Sequence, residues 1–209
     1  DNSMKIIYNS NIYSGFSFAV GFTPNLAEEG AAGTDSRVGG VENSKYKNFT
    51  DITTTMVKYS GEIDGVGFEA TYGMINGNAG EVAAVNYNDL EETTYSAALT
   101  YANFAADYRK NEAGDSGQIK NNNAGNDEGT SICAKYSMAN IGVGACQVET
   151  NFTDTSNFDN NSKTRTYSAD YNLGGGMAWG AVCFDVEQTA NNVTITDADG
   201  VMTMLSIGF

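Results

Sequence analysis

The sequence has no histidine, one proline, one tryptophan and no long hydrophobic run. Each absence excludes something. Without histidine a Ser-His-Asp triad cannot be assembled, and the commonest metal ligand is missing. The three cysteines, Cys133, Cys146 and Cys183, have no metal-ligand spacing, so no metal and no other cofactor is expected. No stretch approaches the roughly 18–20 apolar residues of a membrane helix. Lys and Arg total 11 against 26 Asp and Glu, a formal charge of -15. That balance argues against a general nucleic-acid binder, because phosphate contacts need a basic surface. No pair of carboxylates is spaced in a way that commits to acid–base catalysis, and the sequence reads as non-enzymatic.

What is abundant is glycine (24), tyrosine (12) and phenylalanine (10). A transmembrane β-strand needs only ~9–11 residues, half of them apolar, so a helix-based hydropathy criterion is blind to it. Eleven segments have strand character: "MKIIY", "GFSFAVGF", "ITTTMVKYS", "VGFEATYGM", "TTYSAALTYA", "FAADYRK", "TSICAKYSM", "IGVGACQVE", "TRTYSADYNL", "MAWGAVCFDVEQ" and "VMTMLSIGF". Most alternate with period two. In "MAWGAVCFDVEQ" the phase is unclear, with Met177 and Trp179 suggesting one face and Phe184 and Val186 the other, a pattern that leaves room for a bulge. Short connections ("NSNIYS", "GEIDG", "AN", "AN", "GGG") alternate with long ones rich in Gly, Asn, Asp and Glu, the last being "TANNVTITDADG". All long loops then fall at one end of an up-and-down antiparallel sheet, a single β region over residues 1–209.

The two faces differ. One carries Lys58, Glu69, Asp107, Arg109, Lys135 and Asp170, and Lys5 joins them as a candidate. The other is apolar and ends in aromatics such as Tyr8, Phe22, Tyr72, Tyr101, Phe104, Tyr136, Tyr167 and Tyr171. Tyrosine suits a membrane interface, where its ring is buried and its hydroxyl wet. A soluble sheet with a polar outer face and a barrel with an apolar exterior and a charged lumen both satisfy this pattern. The asymmetric loops, the aromatic strand ends and the lack of helices to cover the apolar face favour the barrel.

These residues resemble a known family, the Gram-negative general porins. "NSMKIIYNSNIYSGFSFAVGFTP" resembles the strand pair that follows the constriction loop. "YNLGGGMAWGAVCFDVEQ" resembles the last periplasmic turn and penultimate strand, and Phe209 matches the C-terminal aromatic read by the assembly machinery. The resemblance implies an all-β transmembrane barrel with about 10–11 strands present here of sixteen. Five strands and the constriction loop are then expected upstream of Asp1. Asn11, where the family often has proline, and the three cysteines depart from the pattern. The implied function is passive diffusion of ions and small hydrophilic solutes through a water-filled channel in the bacterial outer membrane, with the long loops extracellular. Implied partners are outer-membrane lipid, lipopolysaccharide, the barrel assembly machinery and two further copies in a homotrimer. The alternative is a surface-exposed β-protein, or an outer-membrane barrel, with an adhesive or structural role.

On this reading Lys5, Lys58, Glu69, Asp107, Arg109, Lys135 and Asp170 are pore-lining candidates, and Phe209 is an assembly signal. The acidic loops, among them Glu28, Glu29, Glu91, Glu92, Asp127 and Glu128, would enrich cations at the mouth within a Debye length of ~8–10 Å. The acidic stretches "DTSNFDNN" and "TDADG" do not fit a calcium-coordinating loop. Finally, if Ala139 and Asn140 are the central residues of the turn "MANI", Met138 pairs with Ile141 and Cys133 meets Cys146. Directly opposed antiparallel residues lie ~4.5–5.5 Å apart at Cα, within disulfide range.

Overall fold

A computed structural model describes residues 5–25, 36–38, 41–43, 49–79, 86–120, 125–153 and 159–208. Eleven strands form one sheet. They are β1 (Ile6–Asn9), β2 (Phe16–Asn25), β5 (Phe49–Ile63), β6 (Val66–Ala79), β7 (Leu90–Tyr101), β8 (Phe104–Gly114), β9 (Gly125–Met138), β10 (Ile141–Thr153), β11 (Asp159–Gly174), β12 (Met177–Ala190) and β13 (Val193–Ile207). A two-stranded hairpin, β3 (Ser36–Val38) and β4 (Val41–Asn43), lies in the connection between β2 and β5.

Every neighbour in the large sheet is antiparallel, and strand order follows chain order. Among the described residues no helix occurs, and β1 and β13 do not pair with each other. The architecture is all-β and up-and-down, the open form of a barrel wall.

Tight turns set the register at one end. Asp64 and Gly65 both have positive φ (51° and 77°), the signature of a two-residue turn whose twist matches its strands. At "MANI" Ala139 takes φ 50°, and Met138 opposes Ile141. Once these turns are fixed, period two decides which side chains share a face.

Three sequence expectations are revised. Strands run several residues into the segments read as long loops: β6 reaches Ala79, β9 begins at Gly125 and β13 begins at Val193. The connection "TANNVTITDADG" is not a long loop but a two-residue turn at Asn191 (φ 49°) and Asn192 (φ 61°) inside a hairpin whose register shifts once, at Ile195 of β13. Its strand alternates apolar with polar residues too weakly to register as hydrophobic periodicity. The bulge in β12 is also absent: from Ala178 to Gln188 its pairing with β11 and β13 is unbroken. The phase is unreadable there because both faces are apolar, Trp179, Ala181 and Cys183 on one and Val182 and Phe184 on the other.

The sheet has little interior of its own. Large hydrophobics such as Leu99 (53%), Ile132 (54%) and Tyr167 (56%) are exposed. The buried apolar cluster is small, with Phe49, Ile52 and Leu90 packed against Ile75 and Ala79 at the loop end of β5, β6 and β7. Nearby, the segment after β8 folds back on the segment before β7. Asn88 Nδ2 donates to Asp115 Oδ2 (2.9 Å) and the Glu91 N–H donates to Ser116 Oγ (2.8 Å). A bridge pairs Tyr87 with Ile119.

Candidate functional site

The ladders determine the composition of each face. Paired residues lie on the same side, so one chain of partners can be followed across the sheet. Ser17 opposes Lys58, Lys58 opposes Thr71, Thr71 opposes Ser96, and Ser96 opposes Arg109. Arg109 opposes Ser131. Two residues along, Asp107 opposes Cys133, and Cys133 opposes Cys146. Lys135 opposes Gly144, and Gly142, next on that face, opposes Asp170. Glu69 opposes Ala98, which opposes Asp107. Lys5 precedes β1 in step with Ile7 and Asn9, which belong to this face. All seven charged candidates therefore share one face.

The geometry within this face is mixed. Lys58 Nζ and Glu69 Oε2 form an ion pair at 2.5 Å. Asp107, Arg109, Lys135 and Asp170 are spread over β8, β9 and β11 rather than gathered at one point. Small residues stand beside the large ones. A Cβ on Gly142 would collide with the Asp170 carboxylate, and one on Gly144 would come within 2.9 Å of Ser168 Oγ. The glycines keep a charged wall uncrowded. Cys133 and Cys146 lie in this wall with Cα atoms 4.1 Å apart and are joined by a disulfide.

Two acids on the same face were not among the candidates. Glu62 opposes Gly67 and is exposed beside a tight turn. Glu92 opposes Ile75 and is buried at 6% exposure. Among the described residues its Oε2 has no hydrogen-bond partner. It lies beyond the apolar band, at the loop end of β7, and burial pushes its carboxyl above the ordinary carboxylate range. Its run "NDLEE" reads as loop because two adjacent glutamates mask the alternation that Leu90 begins.

The opposite face has two zones. From the tight-turn end, Phe104, Ala106 and Tyr108 stand beside Tyr136, Ala134 and Ile132, and Val143, Ala145, Tyr167 and Ala169 continue the band. On β6 the apolar positions run from Val66 to Met74, and tilted strands would give them a height of roughly 20 Å. Rings meet within this band: Phe16 packs on Tyr59 (4.5 Å between centroids), and Tyr72 on Tyr95 (5.4 Å). Towards the loop end the same face becomes charged. Lys110 bridges Glu112 and Glu128, Lys163 meets Glu149, and Arg165 meets Asp185.

One side of the sheet therefore carries an apolar band and the other a glycine-rich charged wall. Among the described residues no cluster of potential ligands can hold a metal ion. Phe209 lies outside the described residues. No curated protein matches the chain. The family described as Gram-negative porin matches residues 1–191, and the chain belongs to that family.

Proposed function

We propose that the protein is an outer-membrane diffusion channel for ions and small hydrophilic solutes, with residues 1–209 forming one region of its barrel wall. The observation that carries this reading is the segregation of the two faces across β2 and β5 to β11. The apolar band faces lipid. The wall bearing Lys5, Lys58, Glu69, Asp107, Arg109, Lys135 and Asp170 faces a water-filled lumen. Such a channel needs no catalyst, only a polar lumen and a charge pattern.

The long connections face the outside of the cell, and the charged zone above the apolar band meets lipopolysaccharide. Phe209 serves as the signal for the barrel assembly machinery, and the finished channel works as a homotrimer. The excess of acid over base makes the channel weakly cation-selective.

Reconstitution of the purified protein in planar lipid bilayers tests this. The expected result is stepwise, ohmic conductance with a reversal potential on the cation side in a salt gradient. Absence of conductance steps, or a clear anion preference, would overturn it.

A further inference from the structure

At the loop end of β5, β6 and β7 burial is one-sided. Ile52, Leu90 and Glu92, on the charged face, are sealed from solvent. At the same height Asn76, Asn78 and Glu91, on the opposite face, are exposed. The cover therefore lies on the charged side. It includes two segments that fold back on each other, residues 86–89 before β7 and residues 115–120 after β8. Within them Tyr87 and Ser116 are themselves buried.

The two segments are tied to each other through the backbone. The Asn88 N–H donates to Gln118 O (2.8 Å), the Lys120 N–H to Asn86 O (2.9 Å), and the Gly117 N–H to the carbonyls of Asn88 (3.2 Å) and Asp89 (3.3 Å). They are anchored to the strands where the Glu91 N–H donates to Ser116 Oγ (2.8 Å) and the Ala79 N–H to Asp89 Oδ1 (2.9 Å). A few polar anchors over a small apolar cluster make an element of low local stability, the kind from which moving lids are drawn.

Glu92 lies at the seam. It follows the residue whose N–H Ser116 accepts, and it opposes Ile75. Among the described residues its Oε2 has no hydrogen-bond partner. The strand positions around it on this face carry no titratable group: Gly73, Ile75 and Gly77 of β6, Ile52 and Thr54 of β5, and Asn111 of β8. The folded-back segments bring Tyr87, Asp89, Asp115 and Lys120. Asp89 accepts from Ala79 and Asp115 from Asn88. A neutral carboxyl tolerates this site, whereas a carboxylate without a partner must be reached by water. Burial accordingly pushes the Glu92 carboxyl upward.

We propose that residues 86–89 and 115–120 form a flap latched by Glu92, which lies down over the loop end of the charged wall while Glu92 is protonated and lifts when Glu92 gives its proton to solvent. In the channel proposed above, on which this consequence rests, the lowered flap narrows the mouth, and the size limit for solutes rises with pH. Protonation of Asp89 or Asp115 removes acceptors that hold the flap and acts in the opposite sense, so Glu92 is isolated by comparing the parent with Glu92→Gln at each pH.

The test is amide hydrogen exchange on the full chain in dodecyl maltoside at pH 4 and pH 8, read as protection factors so that the intrinsic pH dependence of exchange cancels. At pH 8, peptides covering 86–94 and 115–120 should be about fivefold or more better protected in Glu92→Gln than in the parent. At pH 4 the two proteins should agree within about twofold, and a peptide covering 141–148 should agree at both pH values. If Glu92→Gln fails to fold, Glu92→Met, also uncharged and of similar length, replaces it. In planar bilayers, the largest polyethylene glycol that still lowers conductance reports the width of the mouth without sensing its charge. The parent should admit a larger polymer at pH 8 than at pH 4, and Glu92→Gln the same polymer at both. Equal protection of the two proteins at pH 8, or poorer protection of the variant, would overturn the flap. A protection difference with one polymer limit throughout would overturn its place at the mouth. A protection difference without any conductance would support the flap and refute the channel.

Discussion

Cys133 and Cys146 stand directly opposite each other on β9 and β10, and a disulfide joins them across a hairpin of thirteen residues' separation. The hairpin is local, so the bond removes only a short loop from the unfolded ensemble. A cross-link of this span is worth roughly 2–3 kcal/mol in the chain-entropy view. Replacing both cysteines with serine should lower unfolding stability by about that amount in urea titrations in detergent without changing the sheet. Peptide mapping without reductant should recover 133 linked to 146. Ready alkylation of both thiols in unreduced protein would refute the bond.

The opposed faces predict an asymmetric mutational response. Leu99, Ala134 and Ala169 lie on the apolar side. Arginine at any of them should cost roughly 2–4 kcal/mol near the membrane midplane. Arginine at Thr100 or Ser168, on the charged side, should be mild. Refolding titrations into lipid vesicles separate the two sets, and equal penalties would reject the assignment of faces.

Burial raises the Glu92 carboxyl above its ordinary range, so the folded chain holds this proton more tightly than the unfolded one. The resulting stabilisation is complete below the unfolded carboxylate's titration and is lost as pH rises through the raised folded value. Glu92→Gln should match the parent near pH 4 and exceed it at pH 8 by about 1 kcal/mol. Urea midpoints or hydrogen exchange of residues 86–94 at the two pH values would measure this. A variant less stable than the parent at pH 8 would contradict it.

Legibility in the sequence followed local physics. The Cys133–Cys146 register was readable because a two-residue turn at Ala139–Asn140 fixes every later pair by arithmetic, and period two then sorts Lys58, Glu69 and Arg109 onto one side. Residues 193–200 were not readable as strand, because backbone pairing with β12 holds them while Thr194, Thr196, Asp197 and Asp199 supply no hydrophobic rhythm. The straight course of β12 was hidden for the opposite reason: with Trp179 on one face and Phe184 on the other, alternation carries no information. Glu92 was hidden by tertiary structure, since its burial beside Leu90 and Ile75 depends on strands that meet only in the folded sheet.

The Lys58–Glu69 ion pair bears on ion selectivity. Both side chains are partly exposed on the charged face of β5 and β6, so if that face lines the proposed channel their charges partly cancel in its field. Lys58→Ala removes the positive member and leaves Glu69 as an uncompensated acid. The reversal potential in a salt gradient should move further to the cation side. Glu69→Gln should move it the other way, because Lys58 then stands alone. Asp185 serves as a control, since it lies on the opposite face of the sheet in an ion pair with Arg165. At 1 M salt the Debye length is ~3 Å, and both lumen effects should shrink, while Asp185→Asn should leave the potential near the parent value at every salt concentration. If Asp185→Asn shifts selectivity as strongly as Lys58→Ala, the charged wall carrying Lys58 and Glu69 is not the conducting surface.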